Sequence, residues 1–231
     1  LKTWANLKCS LAAILLTAGF SLSSSAAIEQ EAVYEDGKNE LQRLCTESLG
    51  WTDYSCFSEM HNFKPGKTTI SASRFFYKKG PTVRLEVVGG GFRDGSVIVR
   101  GRDGKITARG GGLMGAIKMN LDPDSRMLIL PSGVNVTHAD FPELYLYWKD
   151  QVEHGCTCRL SAPMNHSEFE KKIRMMELLD AKNTVLYRVY LSAEERVPIR
   201  WDSYKADGGK TQTWFKNLKI NAGLSDDLFK L

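Results

Sequence analysis

Residues 184–231 read TVLYRVYLSAEERVPIRWDSYKADGGKTQTWFKNLKINAGLSDDLFKL, and this stretch decides the fold. Val185, Tyr187, Val189 and Leu191 recur every second residue, the period of a pleated strand whose two faces meet different surroundings. Val197 to Tyr204 repeats the alternation, with Ile199 and Trp201 on one side and Arg200, Asp202 and Tyr204 on the other. Asp207-Gly208-Gly209 supplies turn residues that tolerate a positive φ. Thr211 to Leu218 follows, rich in β-branched and aromatic residues. Three strands joined by short turns predict an antiparallel meander, one face of which needs a cover.

The segment just upstream reads two ways. In SEFEKKIRMMELLD, residues 167–180, Phe169, Ile173 and Met176 fit a helix, and Ser167 with Glu170 would make a capping box. Ile173, Met175 and Leu179 also alternate with Lys172, Arg174 and Leu178 as in a strand. Local propensity favours the helix.

Asp140 to Gly155 carries the clearest helical signal. Asp140 is placed to cap the N-terminus with Glu143 three residues on, Pro142 fits the first turn, and Gly155 fits the end. Leu144, Tyr147, Trp148, Gln151 and Val152 form its predicted inner stripe, a cover for the sheet. A second helix is expected between Ile28 and Gly50, where Leu41, Leu44, Cys45, Ser48 and Leu49 follow helical spacing. Gly37 interrupts its N-terminal side and Gly50 is the expected C-cap.

Strands are expected at Trp51–Phe63, with Tyr54, Cys56, Ser58 and Met60 on one face, then at Thr69–Lys78 and Pro81–Val88. Pro65-Gly66 is a turn. In Pro81–Val88, Val83, Leu85 and Val87 alternate with Arg84 and Glu86. The glycine-rich tract that follows tempts a phosphate-loop reading. It lacks G-K-[ST] and a following helix, so it reads as hairpins, with turns at Arg93-Asp94-Gly95 and Arg102-Asp103-Gly104 and short strands at Val97–Val99 and Lys105–Ala108. Gly110–Gly112 reads as a hinge-like loop. Leu113 to Met119 fits a helical turn that either caps a cavity or simply plugs the core. Met127 to Leu130 is expected as a brief strand.

The chain has 231 residues and a formal net charge of +4, with a pI near 8.7. That mild charge, without Lys/Arg blocks or aromatic–basic repeats, gives no reason to expect a nucleic-acid partner. Leu1 to Ala27 reads as a cleaved secretory signal: Lys2 and Lys8 precede an apolar run from Leu11 to Leu22, shorter than the ~20 residues that span a bilayer, and small residues at 24–27 suit cleavage. Cys9 lies before that run, so no lipid-anchoring cysteine sits at the cleavage point. Residues 28–231 are then expected to form one soluble exported domain. Cys45, Cys56, Cys156 and Cys158 remain, with three possible pairings. A Cys45–Cys56 bridge would tie helix to strand and contribute roughly 2–3 kcal/mol through its short loop. Cys156 and Cys158 suit a structural disulfide, local or distant. His154-x-Cys156-x-Cys158 lacks the second ligand pair of a zinc site. No nucleophile elbow, metalloprotease helix or dinucleotide fingerprint appears, so neither an enzyme nor a cofactor is expected.

The C-terminal stretch also carries a resemblance. Pro198, Asp207, Gly208, Asn221, Gly223, Leu224 and Phe229 match the pattern that closes periplasmic lipoprotein carriers of the Lol type and their relatives. Gly111-Gly112-Leu113 and Leu121-Asp122-Pro123 echo a further pair of its segments. The resemblance implies an α+β fold: a strongly curved antiparallel sheet, an incomplete barrel, with helices on the concave face. It also implies a strand at Lys171–Leu179. It implies a periplasmic carrier that holds acyl chains of a lipoprotein or lipid under a helix lid, served by a membrane-associated donor or receptor protein. The alternatives are an interaction or sensor module on the same fold, and, more remotely, a hydrolase. The residues expected to line the cavity are Phe75, Tyr77, Val83, Leu85, Val87 and Leu113. Met114, Ile117, Leu144, Trp148, Trp201 and Trp214 complete that set.

Overall fold

The computed structural model describes residues 32–80, 82–90, 94–112, 115 and 117–231. The expected signal segment, Leu113 and Met114 lie outside the described residues. Twelve strands form one antiparallel sheet: β1 (Tyr34–Asp36), β2 (Asp53–Lys64), β3 (Lys67–Lys78), β4 (Thr82–Gly89), β5 (Val97–Arg100), β6 (Ile106–Arg109), β7 (Lys118–Leu121), β8 (Thr157–Ser161), β9 (Ile173–Leu179), β10 (Val185–Ser192), β11 (Pro198–Tyr204) and β12 (Lys210–Ile220). Their spatial order is β1-β8-β9-β10-β11-β12-β2-β3-β4-β5-β6-β7. The end strands β1 and β7 do not pair with each other, so the sheet is an open, incomplete barrel. Helices α1 (Lys38–Gly50) and α2 (Phe141–Glu153) share one hydrophobic core with the inner face.

Each local element has a visible cause. The Pro65-Gly66 turn joins β2 to β3 with Lys64 opposite Lys67, and Gly66 takes φ 71°. Irregularities bend the sheet, as bulges do. One skips Ile199 between β10 and β11, where Tyr190 pairs Arg200 but Leu191 pairs Pro198. Another falls after Lys216 in β12 and places Asn217 at φ 54°, a conformation asparagine tolerates better than most residues. The Ile199 bulge overturns a reading of the alternation: Ile199 packs with Met175 and Tyr190 on the outer face, away from Trp201.

In α1, Leu41, Leu44, Cys45 and Ser48 are buried, while Leu49 is 44 % exposed. Gly50 belongs to the helix itself, and Trp51 ends it in an extended conformation. Gly37 starts it and donates its N–H to the Cys158 carbonyl at 2.9 Å. A β-carbon there would sit 2.9 Å from Cys158 Sγ, so glycine permits the close approach of α1 to β8. In α2, Asp140 Oδ1 accepts the Glu143 N–H at 3.0 Å. The Glu143 side chain does not return the bond; it meets His138 and lies 3.8 Å from Arg100.

The outer face is covered at two places. Met164 and Phe169, from the β8–β9 connection, pack on Ile173, Met175 and Tyr190. The C-terminal tail packs Leu224, Leu228 and Phe229 on Phe76, Val97 and Val99. The tail is fixed by the residues that carry the sequence resemblance. Asn221 Oδ1 accepts the Thr52 N–H at 2.9 Å, and the Asp53 carboxylate accepts the N–H groups of Gly223 and Leu224, each at 3.1 Å. Asp207 Oδ1 caps the Gly209 N–H at 2.9 Å in the β11–β12 turn. These matching residues are therefore fold determinants.

The strand that the resemblance implied at Lys171–Leu179 is present as β9, residues 173–179, where pairing with β8 and β10 outweighs the local helical propensity. Several expectations need correction. Residues 126–128 form a 3-10 turn capped by Ser125, not a strand. Met119, expected in a helical turn, belongs to strand β7 and pairs with Ala108. None of the four described cysteines is bridged. Cys56 faces the inner core from β2, while Cys45 on α1 neighbours Cys158 on β8. Burial pushes the Cys56 and Cys158 thiols up to about 12, and that of Cys45 upward as well. His154 lies at the exposed end of α2, and His166 packs edge-on against Phe169 and Tyr190 on the outer face.

Candidate ligand cavity

The concave face is not filled. A cavity of about 90 Å³ lies between α2 and the inner faces of β2, β3, β11 and β12. A second, of about 400 Å³, extends toward the β2–β3 turn, walled by residues 127–131. Met60, Ser73, Leu85 and Leu130 line both, so the two adjoin as one trough.

The strand period places the lining. Cys56 pairs Phe75 and Ser58 pairs Ser73 across β2 and β3, and all four face inward. Phe75 pairs Leu85 on β4. On the far side, Trp201 pairs Thr213. α2 supplies Phe141, Leu144, Tyr147 and Trp148 from above. Trp148 packs edge-on to Trp201 with ring centroids 5.0 Å apart. Phe141 packs edge-on to Phe215 at 4.8 Å, geometries that aromatic quadrupoles favour.

Of the expected lining residues, Phe75, Leu85, Leu144, Trp148 and Trp201 border the smaller cavity, and Leu85 and Val87 the larger one. Tyr77 and Val83 belong to the solid core beside it, where Tyr77 stacks on Tyr54 at 5.2 Å. Ile117 is 48 % exposed just before β7 and borders neither cavity. Trp214 faces the opposite way. Its register partner is Arg200, and the Arg200 guanidinium lies 4.8 Å from the Trp214 ring on the outer face. Because Thr213 faces in, its neighbour must face out.

Sequence reading missed the wall formed by Leu130, Ser132, Val134 and Ala139. This connection has no strand or helix period to betray it. Tyr145 was missed as well: it is fully buried beneath α2, one step off the predicted stripe.

The electrostatics are sparse within and dense outside. Among the described residues no Lys, Arg, Asp or Glu lines the smaller cavity, whereas Lys64 borders the larger one. Asp140, at the start of α2, is fully buried, and burial pushes its carboxyl up to about 6. The Glu143 N–H opposes that shift, and Asp140 Oδ2 has no hydrogen-bond partner among the described residues. On the outer face Arg200 is 1 % exposed, lies 3.8 Å from the Tyr190 ring centroid, and pairs with Asp202 at 3.0 Å and Glu168 at 2.8 Å. Glu177, also buried, is held between Arg159 and Arg188 at 2.7 and 2.5 Å. These buried charges brace the sheet from outside and leave its inner side apolar.

No family model matches the chain, and no curated protein matches it by sequence. Solved structures do resemble it. A DUF1329 family protein from Desulfovibrio piger is similar at 13 % identity and a TM-score of 0.46, covering 85 % of this chain and 98 % of that one. A LolA superfamily protein from Nitrosomonas europaea is similar at 10 % identity and 0.47, covering 83 % and 97 %. MucB, whose complex with MucA from Pseudomonas aeruginosa is also matched, is similar at 13 % identity and 0.48, covering 84 % of this chain and 62 % of MucB. The class the fold itself defines is an open, curved antiparallel sheet with two helices packed on its inner face.

Proposed function

We propose that this protein is a periplasmic carrier or binding protein for a hydrophobic ligand, whose hydrocarbon lies in the trough between α2 and the inner face of the sheet. The observation that carries the reading is the pair of adjoining cavities at the place where a packed domain would have side chains. Their shared walls are Met60, Leu85 and Leu130, with Ser73 the one polar member. Each methylene moved from water to such a surface is worth about 0.8 kcal/mol. Helix α2 is the cover: it contacts the sheet through aromatic side chains and reaches solvent through Leu146 and Tyr147, 41 % and 45 % exposed. Loading moves α2 outward, and release requires a donor or receptor that favours the emptied state.

The test is displacement of a fluorescent fatty acid by saturated chains of increasing length. Affinity should rise about fourfold per methylene, the equivalent of ~0.8 kcal/mol, until the trough is full. Ser73→Trp, which projects an indole into the junction of the cavities, should shorten the longest chain accepted. Absence of uptake, or affinity indifferent to chain length, counts against the carrier reading. Retained capture of a protein partner without lipid uptake would favour the interaction module.

A further inference from the structure

Ile70, Met127 and Ile129 are large apolar side chains left 51 %, 49 % and 41 % exposed, and all three border the larger cavity. They come from two chain segments far apart in sequence and meet at one opening. Lys64 and Pro131, both exposed, border it with them. The ladder between β3 and β4 ends at Ala72, so residues 67–71 run on past it as the tip of the β2–β3 hairpin. The mouth is therefore ringed by apolar side chains beside a protruding tip. Clustered exposed apolar groups with polar neighbours mark a surface that another molecule or a membrane covers.

The charge at the rim distinguishes these occupants. Lys64 and Lys67 lie directly opposite each other across the hairpin, a placement in which like charges destabilise a sheet. Among the described residues neither is in an ion pair, whereas Lys78, Lys210 and Lys216 are engaged by Asp226, Asp202 and Glu59. Lys205 reaches over from the β11–β12 turn to donate to the Pro131 carbonyl, and exposed Arg126 precedes Met127. Asp207, in the same turn as Lys205, is held as the cap of the Gly209 N–H. An occupant that brings negative charge relieves the Lys64–Lys67 opposition. Lysine is a point charge on a flexible stem, suited to charge spread over a layer, while a fixed carboxylate is better matched by the planar fork of arginine. Three of these four cations are lysines, spread over separate segments around the opening.

We propose that the rim of the larger cavity, led by Lys64, Lys67, Ile70 and Ile129, docks on an anionic phospholipid surface. The lysines meet the headgroups and the isoleucines enter the boundary beneath them, so the trough opens onto lipid rather than water. The docking is read from the rim alone; what passes through the mouth rests on the hydrophobic-ligand reading above.

The experiment is co-sedimentation of the purified protein with vesicles of phosphatidylcholine, with and without about one quarter phosphatidylglycerol, at about 50 and about 500 mM salt. Binding should require the anionic lipid and fall by at least about tenfold at the higher salt, where charges are screened within a few ångströms. Lys64→Gln and Lys67→Gln should each weaken it about fivefold, the worth of one cation beside an anionic leaflet. Ile70→Ser and Ile129→Ser should each weaken it several-fold with no change of charge. Lys105→Gln makes the same charge change in the β5–β6 turn, at the opposite end of the sheet, and should leave binding unchanged. Equal binding to phosphatidylcholine alone, or equal losses from Lys105→Gln and Lys64→Gln, overturns the docking surface. Absence of vesicle binding overturns it too and leaves the rim to a protein partner. Uptake of a fluorescent fatty acid in vesicle-free solution is read on the same samples. Uptake without vesicle binding overturns the docking and spares the hydrophobic-ligand reading, whereas vesicle binding without uptake supports the docking and counts against that reading.

Discussion

Replacing Asp140 with Asn should make the protein more stable at neutral pH and no more stable in acid. Asp140 is fully buried at the start of α2, one oxygen capping the Glu143 N–H and the other unpartnered among the described residues. Its carboxyl is pushed by burial from 3.8 to about 6. The folded state therefore holds a proton between about pH 4 and 6 that the unfolded chain has released. Stability rises with pH where the unfolded state binds more protons. Here the folded state binds more, so this group's contribution falls as pH rises through that window. Across a window about two pH units wide, at about 1.36 kcal/mol for each, the loss amounts to about 3 kcal/mol at pH 7 and above. Asn keeps the capping oxygen, since Asn and Asp are near-equal N-caps, and cannot ionise. Urea unfolding of wild type and Asp140→Asn from pH 4 to 8 isolates the effect, because carboxylates common to both chains, such as Glu40 and Glu168, cancel in the difference. The variant should match the wild type near pH 4 and exceed it by about 2–3 kcal/mol at pH 7.5. A difference that stays constant across the range, or that grows toward acid, would refute the reasoning.

Other outcomes follow from particular contacts. Tyr145→Phe removes a buried hydroxyl with no partner among the described residues and should leave stability unchanged or raise it by about 1 kcal/mol in thermal or urea unfolding. Arg200→Ala takes one of two cationic partners from buried Asp202, leaving Lys210 at 3.2 Å, and opens the ring cluster of Tyr190 and Trp214; a loss of about 3 kcal/mol is expected, with ligand uptake at low temperature preserved because the cluster lies on the outer face. Gly111→Ala places a β-carbon 1.6 Å from the Asp94 carbonyl oxygen and should lower the melting temperature by more than a typical surface change. Thiol titration of the native protein should find Cys45, Cys56 and Cys158 slow to react, since burial raises all three thiols. Denaturant should release them as free thiols rather than bridges.

The sequence by itself determined the number and kind of most elements. A period of two marked the C-terminal meander and the β2–β3 hairpin, whose Pro65-Gly66 turn is local chemistry. Asp140, Pro142 and Gly155 marked α2 because capping uses neighbours in the chain. Tertiary structure alone decided which side of each strand became the inside. Alternation labels two faces only when one is wet. Here the outer face is also covered, by Phe169 and by the tail around Phe229, so apolarity did not tell Trp214 from Trp201. Their faces were set by cross-strand register and by the bulge at Ile199. The wall at residues 130–139 has no period to read, and the cysteines stayed apart because their distances belong to the packed fold rather than to their spacing in the chain. Whether the hollow is left open is likewise a property of packing. A chain can announce an apolar face, but only the assembled layers show whether another side chain has filled it.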